Sequence, residues 1–312
     1  MAYVITCFSG VDALFWSRKK NPPAPVTLAP KLFDPLDVFR ESFTLAGTIA
    51  LDQCPVCGGR EIGRLWQLPQ SHLGAPTYLN SPGSPFHDYY LDYLPLLKVP
   101  HQIFVFDICR FCHSVFRNPK DDDQASYRTD ASKVAAFKAR GTAPFSGIVK
   151  SCEKHFPRDT RTVIDAACGA GQALGLLCER HPELKLVGLE LSRPSVEYMR
   201  SLGLEAHVVD LDFEELGPLV TPGSVDFILF YEAFEHVRHP LAVLRKLTDL
   251  LRVGGRLHFT AQYYGPESAL QVRVGEPIYI DRHGLDWVVS QLDVRLHDLT
   301  IDTKFRVTLQ KR

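Results

Sequence analysis

The sequence predicts an α/β fold, with a doubly wound and mostly parallel sheet preceded by a smaller metal-stabilised domain. Three observations lead to this prediction. From about residue 145 to residue 312, short apolar runs typical of buried strands alternate with amphipathic helical segments. One of these runs leads into a glycine-containing turn, as nucleoside-binding strands do. Two cysteine pairs with the spacing of a metal site lie upstream of this region.

The glycine-containing turn predicts a cofactor site. The apolar run before it ends on Asp165, and Gly169 and Gly171 in the turn let the backbone approach a ligand closely. A second apolar stretch, residues 185–190, ends on Glu190, where an acid binds ribose hydroxyls in doubly wound domains. We therefore expect a nucleoside-containing cofactor at the ends of these two strands.

Two features of the turn argue against a dinucleotide. The dinucleotide fingerprint requires a third glycine, where the helix packs on the strand and meets a pyrophosphate, and this chain has Leu174 there. Asp165 would also repel a pyrophosphate. The same carboxylate suits a cationic or hydroxyl-rich ligand, such as the amino acid and ribose of S-adenosylmethionine.

The order of these features resembles the class I S-adenosylmethionine-dependent methyltransferases, from about residue 145 to residue 312. In that family the aspartate of strand one is followed by three alternating glycines; Gly169 and Gly171 match two of them, and Ala167 replaces the first. The resemblance implies a Rossmann-like sheet of seven strands and S-adenosylmethionine as the cofactor. The residues that it implies for cofactor binding are Asp165, Ala167, Gly169, Gly171, Glu190, Leu191, Asp210, Leu211 and Tyr231.

Later segments follow the same family order. They are the acidic turn beside the adenine (209–212), the fourth strand (225–231), the entry to the next helix (232–237) and the start of the fifth strand (251–259). Taken alone, Asp210 and Asp212 are more often helix caps or turn acids than ligands. Cys168 in the glycine turn is interpreted as a packing residue, because no partner base is evident.

Methyl transfer is an in-line displacement at a sulfonium methyl, so the enzyme mainly aligns the acceptor with the methyl carbon and the sulfur. Where the acceptor needs a base, the best place is the end of strand four. His236 is the first candidate because its unperturbed pKa lies near neutral pH, although a histidine on a helix's first turn is as often a capping or packing group. Tyr231 is expected to line the methyl pocket, and Glu235 is the third candidate. Residues that could contact the acceptor from the opposite side are Tyr263, Tyr264 and His283.

Two Cys-x-x-Cys pairs predict a structural zinc site. Zinc prefers a tetrahedral set of sulfurs from two tight turns, and neither pair begins the helix typical of a thioredoxin-like dithiol. With four protein ligands no position stays open for water or substrate, so the ion would support folding. Residues 58–108 separate the pairs, which implies an inserted loop. The four predicted ligands are Cys54, Cys57, Cys109 and Cys112.

Zinc-binding turns ahead of this core, together with residues 112–119, resemble methyltransferases of glycan and natural-product pathways, including sugar C-methyltransferases. His113 stands where the family pattern usually has glycine. The leading hypothesis is a methyltransferase acting on a small molecule, such as a sugar or natural-product scaffold. The alternatives are an RNA methyltransferase whose zinc ribbon holds the nucleic acid, and a non-catalytic interaction protein that keeps the fold.

Charge and composition favour a small-molecule acceptor over nucleic acid. The formal net charge is −1, which lacks the basic excess that phosphate-backbone binding needs. At 312 residues and 45% hydrophobic content, the chain can form the core and one smaller domain. The eight cysteines, four of them as metal thiolates, suit a reducing cytoplasm. We expect no signal peptide, and no apolar run approaches the ~18 residues of a membrane span.

The predicted organisation has four parts. They are an N-terminal extension with a proline-rich arm (1–50), a zinc-binding domain with an inserted loop (51–120), a connecting helical segment (121–144) and the methyltransferase core (145–312). Asp121 to Asp123 are expected to cap a helical stretch that reaches about Lys138. Further predicted elements are a short helix (36–46), core helices (171–181, 192–202 and 240–251) and a closing hairpin (296–301 with 305–310). The aromatic insertion, residues 70–101, is either a loop that packs on its own rings or part of the substrate wall.

Overall fold

The structure is a computed structural model that describes residues 48–49, 51–69, 103–118, 120–121, 127–264, 276–302 and 304–312. The chain divides into two compact units. We call them the cysteine unit (residues 1–54, 58–121 and 263–281) and the core unit (residues 55–57, 122–262 and 282–312).

The described residues contain thirteen strands and six α-helices. The strands are β1 (Thr48–Ile49), β2 (Ile62–Pro69), β3 (Ile103–Cys109), β4 (Val115–Arg117), β5 (Lys120–Asp121), β6 (Thr162–Ala166), β7 (Lys185–Glu190), β8 (Glu205–Val208), β9 (Val225–Phe230), β10 (Leu251–Gln262), β11 (Ile278–Tyr279), β12 (Val294–Ile301) and β13 (Lys304–Lys311). The helices are α1 (Ser132–Arg140), α2 (Ser146–Lys154), α3 (Gln172–Arg180), α4 (Arg193–Ser201), α5 (Pro240–Leu250) and α6 (Arg282–Ser290).

The core unit contains a seven-stranded sheet in the order β12-β13-β10-β9-β6-β7-β8. From β10 to β8 the neighbouring strands are parallel, and β13 pairs antiparallel with both β10 and β12. The residues of β6, β7 and β9 are almost all buried, as near-continuous apolar strands in parallel sheets are. This arrangement confirms the predicted doubly wound, mostly parallel sheet of seven strands. It also confirms the closing hairpin, which is β12-β13.

The predicted core helices are present, and their ends follow local signals. α3 begins after Gly171, whose φ of 83° is left-handed. α4 begins after Ser192, whose side chain accepts a hydrogen bond from Ser195 N as an N-cap does. α5 begins at Pro240. Proline is favoured at the first helical position because an N–H there would have no acceptor within the helix.

The helix predicted from the acidic run Asp121–Asp123 begins later than expected. Asp121 instead belongs to β5, which pairs antiparallel with β1. The helix, α1, starts at Ser132, whose N–H and hydroxyl both donate to the Asp130 carboxylate, at 2.7 and 2.8 Å. The acid that binds the start of this helix is therefore Asp130, because it directly precedes the first turn.

The cysteine unit contains a four-stranded antiparallel sheet in the order β11-β4-β3-β2. Residues 263–281, which we predicted as part of the 145–312 core, group with this unit. The reason is that Ile278 and Tyr279 pair with Phe116 and Val115 in β4. The other predicted domain boundaries stay predictions.

Three predicted segments lie outside the described residues: the proline-rich arm (17–35), the short helix (36–46) and the aromatic insertion (70–101). Among the helices that the structure does describe, none has the length and apolarity needed to cross a membrane.

Candidate cofactor site and cysteine cluster

The predicted cofactor residues are brought to one edge of the sheet. β6 lies between its parallel neighbours β7 and β9, so the carboxyl ends of all three strands share an edge. The chain runs from β6 outward through β7 and β8 and returns to β9 on the other side, which creates a topological switch point. Ligands of doubly wound sheets bind at such points. Asp165 and Glu190 lie at the ends of β6 and β7, and Tyr231 follows β9.

Three residues with positive φ shape the turn after β6. The φ angles are 57° at Ala167, 58° at Gly169 and 83° at Gly171. A side chain at Gly171 is blocked, because an added Cβ would lie 2.6 Å from Sδ of the buried Met199. Ala167 occupies the left-handed region that glycine adopts without steric cost. The turn therefore has a left-handed residue at all three family glycine positions, although one of them is alanine.

Glu190 links the glycine turn to the loop after β7. Its Oε2 accepts a hydrogen bond from Gly169 N at 2.7 Å, and its Oε1 accepts one from Ser192 N at 2.9 Å. The carboxylate is buried and fixed by these two bonds. Since each carboxylate oxygen has two lone pairs, both oxygens can still accept a further donor such as a ribose hydroxyl.

Asp165 differs from Glu190 in having no such bonds. Its side chain is buried, and no donor among the described residues forms a hydrogen bond with its carboxylate. Burial raises the pKa of Asp165 well above its usual value, and the negative charge of Glu190 raises it further. A buried acid with a raised pKa at a switch point is typical of a functional site, because a ligand can supply the missing cation or donor.

The acidic turn 209–212 is held by its own carboxylates. Asp210 forms an ion pair with Arg128 at 2.5 Å and accepts a hydrogen bond from Asp212 N at 3.1 Å. Asp212 accepts from the N–H groups of Arg238 at 3.0 Å and His239 at 2.9 Å, just before α5. Asp212 is thus a turn acid that fixes the start of the next helix, as the non-ligand alternative predicted.

The apolar residues predicted at the cofactor site lie close to the same strand ends in sequence. Leu191 is half-buried directly after β7, and Leu211 is buried in the acidic turn. Tyr231 is half-buried directly after β9, and Lys304 Nζ lies 5.6 Å from the centre of its ring. Burial raises the pKa of Tyr231 above its usual value, which disfavours a role as a base near neutral pH.

His236 lies in the turn between β9 and α5, because the helix begins only at Pro240; our placement of it on the first helical turn was wrong. Its ring contacts Tyr127 edge to face, with 6.2 Å between the ring centres. Glu235 is fully buried, and its Oε1 accepts a hydrogen bond from Gln262 Nε2 at 2.8 Å. Of these two candidates, only His236 has a partly exposed side chain.

Sequence reasoning missed the segment before α1, which contacts the site residues. The hydroxyl of Ser192 donates to Asp130 O at 2.8 Å, and Arg193 N donates to Arg128 O at 3.2 Å. Tyr127 contacts His236, as described above. No local pattern marks these residues, since their contacts depend on where the chain returns to the sheet.

The four predicted metal ligands form one cluster. The ligand sulfurs of Cys54, Cys57, Cys109 and Cys112 all lie within 4.8 Å of one another. The sulfurs of Cys54 and Cys112 are 3.6 Å apart. Four sulfurs placed tetrahedrally at the usual zinc–sulfur distance are about 3.8 Å apart, so the observed separation fits zinc. None of the seven cysteines that the structure describes forms a disulfide bond.

Backbone hydrogen bonds shape the two cysteine turns. Gly58 N donates to Cys54 O at 2.8 Å, and Cys109 N donates to Ser114 O at 2.9 Å. His113, at the position of the family glycine, has a φ of 58° and contacts Asp281 at 3.2 Å through Nδ1. Tyr264, which we predicted beside the acceptor, donates its hydroxyl to His113 O at 2.5 Å. This residue therefore supports the second cysteine turn.

Residues 164–259 match the family model of a methyltransferase domain. The chain is 31% identical over 140 residues to cypemycin N-terminal methyltransferase from a Streptomyces species, covering 43% of this chain and 55% of that protein. It is 32% identical over 118 residues to the ubiquinone biosynthesis O-methyltransferase of Xanthomonas campestris pv. campestris, covering 36% of this chain and 48% of that protein. The solved structure of an O-methyltransferase family protein from Burkholderia thailandensis aligns with a TM-score of 0.48 and 18% identity, covering 61% of this chain and 62% of that one.

The chain spans about half the length of the curated relatives that it matches. The matched segment contains the glycine turn, Glu190 and the end of β9, but none of the four clustered cysteines. Together with the seven-stranded sheet and the switch point, this match shows that residues 164–259 of the core unit carry a methyltransferase domain on a Rossmann-like sheet.

Proposed function

We propose that the protein is an S-adenosylmethionine-dependent methyltransferase whose acceptor is a small molecule, such as a sugar or a natural-product scaffold. The observation that most supports this proposal is Glu190, fixed by Gly169 N and Ser192 N at the switch point, with the acid Asp165 on the next strand. Both relatives named above are methyltransferases, and one is assigned to ubiquinone biosynthesis.

The residues at the strand ends fit S-adenosylmethionine. Glu190 keeps lone pairs for ribose hydroxyls, and Asp165 offers a carboxylate to hydroxyl or ammonium groups. Gly169 donates its N–H to Glu190, and Gly171 lets the turn pack directly on Met199, which any side chain there would meet. When bound, the cofactor supplies a methyl group on a positively charged sulfur. The remaining residues named for it, Ala167, Leu191, Asp210, Leu211 and Tyr231, are proposed contacts of the same site.

The chain's own contribution to methyl transfer is mainly alignment, which can lower a barrier by about 7–11 kcal/mol in favourable cases. We assign His236 as the group that accepts the acceptor's proton, because it follows β9 and its side chain is only partly buried. Tyr231 lines the methyl pocket. Glu235, fully buried and bonded to Gln262, is better placed to hold the turn than to exchange protons with a substrate.

The small-molecule class is supported by charge. A net charge of −1 gives no overall attraction for the phosphates of nucleic acid. The finer choice of a sugar or natural-product scaffold depends on the resemblance of the cysteine turns and core to methyltransferases of those pathways.

The cysteine cluster is proposed to hold a structural zinc ion. Four thiolates fill all four positions of a tetrahedral site, so the ion would support folding and leave no position for a substrate. Sites of this kind persist where thiols stay reduced, and we therefore place the protein in the cytoplasm.

The first test is a calorimetric titration of the full chain with S-adenosylmethionine and S-adenosylhomocysteine. We expect both to bind, and Glu190→Ala to weaken binding by about tenfold or more, because a charged hydrogen-bond acceptor is lost. Glu205→Ala is the matched control, since Glu205 is an exposed acid at the start of β8. A wild-type protein that binds neither ligand would overturn the proposed function.

The second test addresses His236, with an acceptor found by screening sugars and natural-product precursors for labelled methyl transfer. We expect His236→Ala to lower turnover about tenfold or more while the affinity for S-adenosylhomocysteine stays unchanged. His239→Ala is the control, because His239 is exposed and three residues away. Unchanged turnover in the His236 variant would remove this residue from the mechanism.

A further inference from the structure

Lys133, in the first turn of α1, lies against the glycine turn. Its Cδ would be 3.5 Å from a Cβ built at Gly169, so its aliphatic stem borders the space that a side chain at that position would fill. Its ammonium lies 5.4 Å from the centre of the Tyr127 ring, and Tyr127 in turn contacts His236. Lys133 therefore brings a positive charge to the region between the glycine turn and the residue proposed as the base.

We propose that Lys133 binds the carboxylate of the amino-acid end of S-adenosylmethionine; this inference rests on the proposed function. The amino-acid end carries an ammonium and a carboxylate. Asp165 and Glu190, the two acids at the strand ends, can attract the ammonium and the ribose hydroxyls but repel the carboxylate. Lys133 supplies the complementary charge beside the same turn.

The surroundings of Lys133 leave its charge available to a ligand. The side chain is exposed, and no carboxylate among the described residues forms an ion pair with it. Its position is also electrostatically unfavourable for the helix, because a cation in the first turn is repelled by the helix dipole. α1 itself has no acidic residue in its first turn, and the carboxylate that precedes the helix, Asp130, is already bonded to Ser132. An anionic ligand beside Lys133 would relieve the repulsion.

The segment that positions Lys133 is anchored to the site itself. Arg128 pairs with Asp210 in the acidic turn, and Asp130 O accepts the hydroxyl of Ser192 beside Glu190. Asp130 also binds the first residue of α1, Ser132. The start of the helix is therefore fixed relative to the glycine turn by residues of the proposed cofactor site, which favours a role in the same binding event.

The chain offers a matched control on the same helix. Lys138 is also exposed, and its ammonium lies 5.3 Å from the centre of the Tyr198 ring, in the same kind of cation–ring contact. Tyr198 belongs to α4, and the α4 helix carries no residue assigned to the cofactor. Replacing either lysine by glutamine removes one charge and one ring contact, so the two variants differ in location alone.

The experiment compares two nucleosides that differ in the amino-acid end. S-Adenosylhomocysteine has the carboxylate, whereas 5′-methylthioadenosine keeps the adenosine and the sulfur but lacks the amino-acid chain. Affinities for both are measured with the full chain as wild type, Lys133→Gln and Lys138→Gln. We expect Lys133→Gln to weaken the binding of S-adenosylhomocysteine by about tenfold and to leave the binding of 5′-methylthioadenosine unchanged. Lys138→Gln should change neither affinity.

Three results would overturn the inference. If Lys133→Gln weakens the binding of both nucleosides equally, Lys133 supports the turn or contacts the adenosine. If the variant's affinity for S-adenosylhomocysteine is unchanged, Lys133 contacts no ligand carboxylate. In either case the proposed function stands, because the wild type still binds the cofactor product. A wild type that binds neither nucleoside overturns both. Thermal melting of the two lysine variants excludes loss of folding as the cause.

Discussion

Two buried aspartates at opposite ends of the sheet have opposite properties. Asp226, at the amino end of β9, accepts hydrogen bonds from Arg161 N and Thr162 N, each at 2.9 Å, and from Arg252. Asp165, at the carboxyl end of β6, has no donor among the described residues. Burial opposes the ionisation of both. For Asp226 the hydrogen bonds outweigh it and hold the pKa below the usual value, whereas the pKa of Asp165 is raised.

The difference separates a carboxylate that stabilises the fold from one that does not. Asp226 joins β6, β9 and the start of β10, since its partners Thr162 and Arg252 lie in the two neighbouring strands. Asp165 is held beside Glu190, a second acid, with no compensating partner among the residues that the structure describes. Selection for stability alone favours a neutral residue there, so an acid at this place is best explained by ligand binding.

The largest expected effect is that of Asp226→Ala. The change leaves two backbone N–H groups and Arg252 without their acceptor, and we expect a loss of about 2–4 kcal/mol in the free energy of unfolding. Chemical denaturation measures it. Because Asp226 ionises more readily when folded, this contribution is present above pH ~4 and is lost as the pH falls below that value.

Asp159→Ala is the control for this prediction. Asp159 is a second carboxylate partner of Arg252, at 2.6 Å, but its side chain is 72% exposed. Exposed pairs contribute little, so we expect a change of about 0.5 kcal/mol or less. Equal losses in the two variants would show that the bonds of Asp226 to the backbone contribute nothing measurable.

Asp165→Asn should change the free energy of unfolding by less than Asp226→Ala does, and in the opposite direction. Asparagine has the same shape but no charge to bury beside Glu190, and we expect the ligand-free protein to gain about 1–2 kcal/mol at neutral pH. The affinity for S-adenosylhomocysteine should fall by about tenfold, since a charged acceptor is lost. Denaturation and calorimetry measure the two effects. A variant that is less stable than the wild type would contradict the comparison.

The pH dependence sharpens the same prediction. The pKa of Asp165 is higher in the folded state than in the unfolded chain, so the folded state keeps the proton over a range where the unfolded chain has released it. The wild type should therefore lose stability relative to Asp165→Asn as the pH rises from ~4, until Asp165 ionises in the folded state. A difference between the two proteins that does not vary with pH would exclude this cause.

The sequence predicted the carboxyl end of the sheet better than the amino end. Asp165 and Glu190 follow apolar runs at a spacing that a doubly wound topology places side by side, so their proximity needed no coordinates. The bonds of Asp226 depend on the register that brings Val163 opposite Phe227, which no local pattern encodes. Lys133 was missed for a similar reason, because its position beside Gly169 is set by the path of the chain before α1. The cysteine cluster was predictable because cysteines are chemically distinctive metal ligands and are closely spaced within each of the two pairs.

The smallest expected effect concerns the shape of the glycine turn rather than its charge. Ala167 has a φ of 57°, and glycine adopts that conformation without steric cost, so Ala167→Gly should stabilise the protein by about 1 kcal/mol. Gly169→Ala is the reciprocal change, since Gly169 has a φ of 58° and its Cβ would meet Lys133 only at an ordinary contact distance. Gly169→Ala should lower the free energy of unfolding by about as much as Ala167→Gly raises it. Because neither change alters a charge, the dependence of stability on pH should match the wild type, in contrast to Asp165→Asn. If Ala167→Gly destabilises the protein, the methyl group of Ala167 contributes packing that exceeds its backbone strain, and the turn is then adapted to alanine.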